Sequence, residues 1–380
     1  MTNSQKDAES NATVKLSRLM SKWYTTAAII VLNTLILFFS FTLLSYAYYA
    51  IRGDRGAIVY SGWFRPRAMH RMSKDQAIQF FREFDRLGEN ETYKYQPWVA
   101  FSERVFHLPR LNVDEATPLP IRRTTQNSST PGGAPLVIWT FGGSTMFGFG
   151  VPDDETIASH LSAILSHALP TRSVTVINHG HVHYFSSQEL ALFQMLLRRG
   201  DRSDFAIFLD GVNDSFYDSD VPYFTDRMVL AMEKEQRSNP TAQTNIRVSP
   251  DFPPLKLVRA FGRRLARQPL SRPYQFPTSD PVGRYRFNLS VEAALGSMHG
   301  IKPLFFWQPA DDRVHNSPVR EVTTKVRNSV HTEGFHFIGD IFDGMDPTDV
   351  YIDDFHYGDT ANERIAEVIA EEVLARIKKK

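Results

Sequence analysis

The chain of 380 residues contains no cysteine. Disulfides, thiolate metal sites and cysteine nucleophiles are excluded with it, while the compartment stays open. Excess charge of one sign is also missing: 43 Lys+Arg stand against 42 Asp+Glu. That balance gives no case for nucleic acid as a partner. No internal repeat is visible. The length permits one large domain with appendages, or two domains. What is present in quantity is proline (22) and phenylalanine (28), pointing to a loop-rich globular part with a substantial core.

Charge is absent from one long stretch. Residues 1–22 are polar and expected to be disordered. Lys15, Arg18 and Lys22 then precede an uncharged run from Trp23 to Ile51. A spanning helix needs about 20 apolar residues, so this run reads as one transmembrane helix, residues 23–51. Trp23 and Tyr24 mark one end, and Tyr46, Tyr48 and Tyr49 the other, as an aromatic belt would. A cleaved signal peptide is the alternative, since Ser45-Tyr46-Ala47 has the small-x-small form of a cleavage site. The run exceeds the usual signal core of about 7–15 residues, which favours an anchor. Arg52, Arg55, Arg65 and Arg67 follow the span, so the positive-inside count leans against an extracytoplasmic domain.

Residues 52–135 read as a connector with one helix. Ser73 is placed to cap it, and Ala77, Phe80, Phe81 and Phe84 share a face through Leu87. The aromatic stretch 93–98 is expected to pack on the main domain, and 124–135 reads as a flexible loop.

From 136 the pattern alternates. Strands are expected at 136–141, 173–178, 205–210, 301–307 and 335–339, and helices near 154–168, 187–199, 317–330 and 360–377. Strand–helix alternation implies an α/β fold with a five-stranded parallel sheet covered on both faces. Right-handed crossovers favour a three-layer sandwich. Residues 212–300 look like an insertion. Within it, 255–268 carries Lys256, Arg259, Arg263, Arg264 and Arg267 on a helical pattern. A solvated basic face is the plain reading; contact with anionic lipid or an acidic glycan is the sharper one.

In a parallel sheet the loops after the strands converge on one edge. Here they are Gly142-Gly143-Ser144-Thr145, Asn178-His179-Gly180, Asp210-Gly211-Val212-Asn213-Asp214 and, before the last helix, Asp353-Asp354-Phe355-His356. Serine becomes a nucleophile when a base takes its proton, and His356 can be that base. Asp353 or Asp354 can hold the other ring nitrogen. The backbone N–H groups of Ser144 and Gly180 and the Asn213 side-chain amide are suited to hold an oxyanion. Thr145 is suited to cap a helix, and Asp214 to bind loop backbone.

These segments resemble, in order, the Ser, Gly, Asn and His blocks of the SGNH (GDSL-like) hydrolases. Phe141–Thr145 is similar to the first block in a Gly-Gly-Ser form; Asn178–Gly180, Gly211–Asp214 and Asp353–His356 with Gly358 and Asn362 follow. The resemblance covers about 136–378 and implies a flavodoxin-like sandwich. It also implies a Ser144–His356–Asp353 triad, an oxyanion hole of Ser144, Gly180 and Asn213, and acyl-ester chemistry without metal or other cofactor. Asp353 is chosen over Asp354 on the family spacing. Members with one amino-terminal span often act outside the cytoplasm on glycans, so that localisation is expected despite the charge count. One departure is His183, where the family often has glycine. His181 and His183 are weak candidates for substrate contact, with ordinary loop histidines as the alternative. A zinc site from His179, His181 and His183 is disfavoured, because alternate spacing suits a strand and not a loop. The expected activity is an esterase on O-acetyl groups of a carbohydrate, with an acyltransferase, a lipid esterase or thioesterase, and a non-catalytic assembly module as alternatives.

Overall fold

The computed structural model describes residues 3–52, 65–85, 93–130, 132–216, 221–223, 225, 280–311 and 318–378. They fall into two compact units, one holding the amino-terminal helix and the other the described residues from Arg65 onward.

In the first unit, α1 runs Asn3–Arg52. The tail expected to be disordered is therefore helical from Asn3. It holds no glycine or proline, and extending an existing helix costs little once the apolar part has formed. Lys22–Tyr48, 27 residues, is the one stretch among the described residues long and apolar enough to cross a membrane. At 1.5 Å per residue it reaches about 40 Å, against about 30 Å of hydrocarbon. Leu32, Leu37, Phe39 and Leu43 are exposed along it.

The second unit opens with a single turn at Pro66–Ala68 and helix α2, Lys74–Asp85. Ser73 begins α2 with a reciprocal cap: its Oγ accepts the Gln76 N–H at 3.3 Å, and its own N–H donates to Gln76 Oε1 at 2.9 Å. Ala77, Phe80 and Phe81 are buried against Ala68, Leu111, Val151 and Ile352. Five short strands follow: β1 (Tyr93–Gln96), β2 (Ala100–Glu103), β3 (Phe106–His107), β4 (Asn112–Asp114) and β5 (Ile121–Arg122). β1 and β2 form an antiparallel hairpin. Of the aromatic stretch expected to pack inward, Tyr93 meets Phe101 edge-on at 5.8 Å, but Trp98 is exposed beneath the Arg198 guanidinium.

The main layers then alternate. In chain order they are β6 (Ala134–Gly142), α3 (Ser144–Phe147), α4 (Ile157–Ala168), β7 (Arg172–Asn178), α5 (Ser186–Arg199), β8 (Phe205–Asp210) and α6 (Val212–Phe216). There follow α7 (Pro281–His299), β9 (Lys302–Trp307), α8 (Pro318–Ser329), β10 (Phe335–Phe337), α9 (Pro347–Val350) and α10 (Asp359–Lys378). The sheet is mixed and eight-stranded, ordered β10-β9-β8-β6-β7-β5-β4-β3. This corrects the expectation of five strands. The five expected strands are present and parallel, and β3–β5 extend them antiparallel from β7. Strands of two or three residues show no hydrophobic period, so the sequence hides them.

Taken in chain order, the parallel strands lie 2-1-3-4-5, the winding of flavodoxin-type sheets, and the order reverses beside β6. Side chains of β8 alternate between two cores: Ile207 and Leu209 face Leu161, Ile365 and Ile369, while Ala206 and Phe208 face Phe193, Tyr285 and Val326. Helices α4 and α10 thus cover one face, and α5, α7 and α8 the other. Helix α7 lies inside the stretch 212–300 read as an insertion; it is a sheet-covering helix in its own right. Buried Arg284, Asn288 and Glu292 on its inner side break the apolar stripe that would have marked it. The basic stretch 255–268 lies outside the described residues.

Candidate active site

Four chain segments meet at the carboxyl edge of the sheet, where the strand order reverses. β6 delivers Ser144 as the first residue of α3, and the first intrahelical bond runs from Phe147 N–H to Gly143 O at 3.0 Å. The Ser144 N–H therefore precedes the helical ladder. Gly143 has no Cβ for a stated reason: one built there would press on the Asn213 amide and lie 2.9 Å from Tyr184 O. A Cβ on Gly180 would lie 2.6 Å from Phe147 N. These two glycines let the loops after β7 and β8 close onto α3.

Ser144 Oγ lies 2.8 Å from His356 Nε2, and His356 Nδ1 lies 2.6 Å from Asp353 Oδ2. With Nδ1–H donating to the carboxylate, Nε2 is the lone-pair nitrogen that accepts the serine hydroxyl. Asp353 Oδ1 accepts the Phe355 and His356 N–H groups, each at 2.8 Å. Burial pushes the Asp353 carboxyl up, but the His356 imidazole and those amides outweigh it and hold the group below its ordinary value. Asp354 instead accepts a hydrogen bond from Arg65 Nη2 at 2.8 Å. Phe149, which follows α3, stacks on the His356 ring at 4.5 Å between centroids.

The expected oxyanion donors are placed differently from one another. Asn213 Nδ2 donates one hydrogen to Tyr184 O at 2.6 Å, and its second carries no partner among the described residues. The Gly180 N–H, by contrast, is donated to Asn178 Oδ1 at 2.9 Å and is already engaged. Gly180 also packs closely against α3, where a Cβ would lie 2.6 Å from Phe147 N.

The three histidines of the second loop occupy separate settings. His181 is fully buried and bound through Nδ1 to Glu103, the setting of the alternative reading as an ordinary loop histidine. His183 stacks on Tyr223 at 4.1 Å, at φ +67, a left-handed conformation in which glycine is the usual residue. His179 packs against Phe141 and Trp139. Burial, then the neighbouring His181, lowers its imidazole to about 3, so it stays neutral. Thr145 caps nothing and donates to Gln308 Oε1 at 2.7 Å. Asp214 accepts the Ser186 N–H at 3.3 Å, the backbone bond expected of it, and the Ser186 hydroxyl at 2.5 Å.

Two residues that the sequence reading missed complete the setting. Glu103, at the end of β2, holds the loop after β7. Arg65 holds the loop carrying Asp353 and His356: it bonds Asp354 and Asp311, and its N–H donates to Ile352 O at 2.6 Å. The next residues continue the contact, His70 and Arg71 N–H groups donating to Asp359 at 3.0 and 2.6 Å. No local motif pairs either residue with the loop it holds.

No family model matches the chain, and no curated protein does. Solved structures of several esterases do. A catalytic mutant of an acetylxylan esterase from Geobacillus stearothermophilus is 11% identical, over 63% of this chain and 95% of its own, at a TM-score of 0.39. An α/β hydrolase from the metagenome of Lake Arreo, Spain, is 12% identical over 63% and 95%, also at 0.39. A two-domain esterase active on acetylated mannans is 14% identical over 66% of this chain and 51% of its own, at 0.38. What the chain is similar to, by its four sequence blocks in order and by where those blocks meet, is the SGNH (GDSL-like) hydrolases.

Proposed function

We propose that this chain is a serine esterase that removes acyl groups, O-acetyl above all, from a carbohydrate. The observation that carries the reading is the continuous relay from Ser144 Oγ through His356 to Asp353, at 2.8 and 2.6 Å. Ser144 attacks the ester carbonyl while His356 Nε2 takes its proton. The imidazolium is stabilised by Asp353. The oxyanion so formed is held by the Ser144 N–H and the uncommitted Asn213 hydrogen. His356 returns the proton to the leaving sugar hydroxyl, and Ser144 is left acylated. Water, deprotonated by His356, then attacks the acyl group, and carboxylate and free serine are released. Phe216 and Tyr223, each about half exposed, lie beside Phe355 and His183 and offer flat faces to a sugar ring.

The test is incubation of the full chain and of Ser144→Ala with 4-nitrophenyl acetate and with acetylated oligosaccharide, with and without an unacetylated acceptor. Acetate release by the wild type alone supports the esterase. Acetyl appearing on the acceptor shifts the reading to an O-acetyltransferase, which shares the first half-reaction. Equal activity in both proteins sinks it.

We further propose that α1 anchors the chain in a membrane, with the second unit on the extracytoplasmic side. The length and exposed apolar surface of Lys22–Tyr48 support this. Resistance to alkaline carbonate extraction, with the second unit digested by protease added to intact spheroplasts, is the expected result. A mature chain lacking residues 1–47 would show a cleaved signal instead.

A further inference from the structure

We propose that Glu103 is a positioning residue for ester cleavage, acting through the loop after β7 on the Asn213 amide. The inference rests on the serine-esterase reading above.

Glu103 is buried and spends both carboxylate oxygens on that loop. Oε2 takes His181 Nδ1, and Oε1 accepts the Val182 N–H at 2.8 Å. The neighbouring amides are committed too. His179 N–H goes to Thr140 O at 2.8 Å, His181 N–H to Gly142 O at 3.0 Å, and Tyr184 N–H to His181 O at 3.1 Å. Between the pinned Val182 and Tyr184 lies His183 at φ +67. A side-chain-bearing residue stays in that region only where its surroundings impose it. Glu103 supplies the imposing bonds directly before it.

The next residue is the one that matters to the chemistry. Tyr184 O accepts the Asn213 amide at 2.6 Å and so fixes the direction of the remaining amide hydrogen. The same hairpin also grips the end of the loop and the helix after it: Tyr184 Oη donates to Phe101 O, and Gln188 Nε2 of α5 to Val99 O at 2.7 Å. Releasing Glu103 frees His183 to relax, shifts the Tyr184 carbonyl and re-aims Asn213. Such a shift weakens contact with the charge that develops in the transition state and spares ground-state binding.

The experiment compares purified full-length wild type, Glu103→Ala, Glu103→Gln and Ser144→Ala on 4-nitrophenyl acetate, with methylboronic acid as a tetrahedral probe. In Glu103→Ala, kcat is expected to fall about 10- to 100-fold with KM within about threefold. Affinity for methylboronic acid is expected to fall by the same factor as kcat. Glu103→Gln, which keeps an acceptor for Val182, is expected to lie between. A merely structural role would lower the melting temperature or the active fraction and leave these ratios alone. Wild-type kcat in a folded Glu103→Ala, or a loss confined to KM, overturns the inference while leaving the esterase reading intact. Full activity in Ser144→Ala would remove that reading itself. Should Glu103→Ala fail to fold, Glu103→Gln and Tyr184→Phe decide the matter: wild-type kcat in both overturns it.

Discussion

Ser144 Oγ stands 2.8 Å from His356 Nε2, although the two residues are 212 positions apart in the chain. The contact exists only because β6 and the loop before α10 end at the same edge. Replacing either partner, or Asp353 by Asn, is expected to lower kcat by about 10⁴-fold. The effects will not multiply, since the three act as one unit. A Ser144→Ala/His356→Ala double variant is expected to match the worse single variant in kcat on 4-nitrophenyl acetate.

Gly143→Ala tests the approach of the Asn213 amide, because the new Cβ must displace it. Loss of one oxyanion donor typically costs about 10²- to 10³-fold in rate. Gly143→Ala and Asn213→Ala are expected to show similar losses of about a hundredfold in kcat, with little change in melting temperature for Asn213→Ala. Unequal losses, with Gly143→Ala near wild type, would show that the amide has room to move.

Arg65 ties the base-carrying loop to the start of the second unit through Asp354, Asp311 and Ile352 O. Arg65→Ala removes the guanidinium that pairs with the Asp311 carboxylate, whose side chain is fully buried. A destabilisation of about 2–3 kcal/mol is expected by urea titration. A fall in kcat of about tenfold should accompany it as His356 loses its fixed distance to Ser144. Arg65→Lys, which cannot span both carboxylates as a fork, should recover stability only in part.

Stability should fall as pH rises above the ordinary carboxyl range. Glu189, Asp210, Asp214 and Glu292 are all buried, and burial, followed by their mutual repulsion, raises Glu189, Asp210 and Glu292 well above the ordinary carboxyl value. For Asp214 burial raises the group as well, while Arg284 and Ser186 partly offset it. A carboxyl raised in the folded state binds its proton more tightly there than when unfolded. Its contribution is full below the unfolded value near 4 and is lost as pH climbs through the folded value. Asp353 runs the other way: its folded value is lowered, so its contribution is present at neutral pH and disappears on acidification. Glu292→Gln removes one member of the raised group. It is expected to gain about 1–3 kcal/mol on the wild type at pH 8.5 and much less at pH 5, by urea titration.

The sequence made some of this legible and hid the rest for physical reasons. Strand Phe205–Asp210 was readable to the residue because all six positions are buried and apolar up to the terminal Asp. Strands β3–β5 were invisible because two or three residues carry no pattern. Ser144 and Asn213 announced themselves through strand-end loops, and His356 through the polar loop before the last helix. The choice of Asp353 over Asp354 needed the family spacing, and the structure separates them by giving Asp354 to Arg65. The spacing of Gly180 says nothing about Asn178, two residues back, whose Oδ1 accepts its N–H in the structure. Glu103 and Arg65 had no local signature: each is one charged residue in a stretch that looks like a linker, and only long-range packing gives it a partner.

Arg65 and Asp354 are separated by 289 positions, and the His70 and Arg71 bonds to Asp359 span almost as many. At about 5–20 residues per second, the ribosome needs about 15–60 s between making the first of these groups and the last. Through most of that interval the sheet can assemble while His356, the hydrogen-bond partner of Ser144 Oγ, has not yet been made. The contact between Ser144 and His356 therefore forms late, once the loop before α10 has joined a sheet assembled ahead of it.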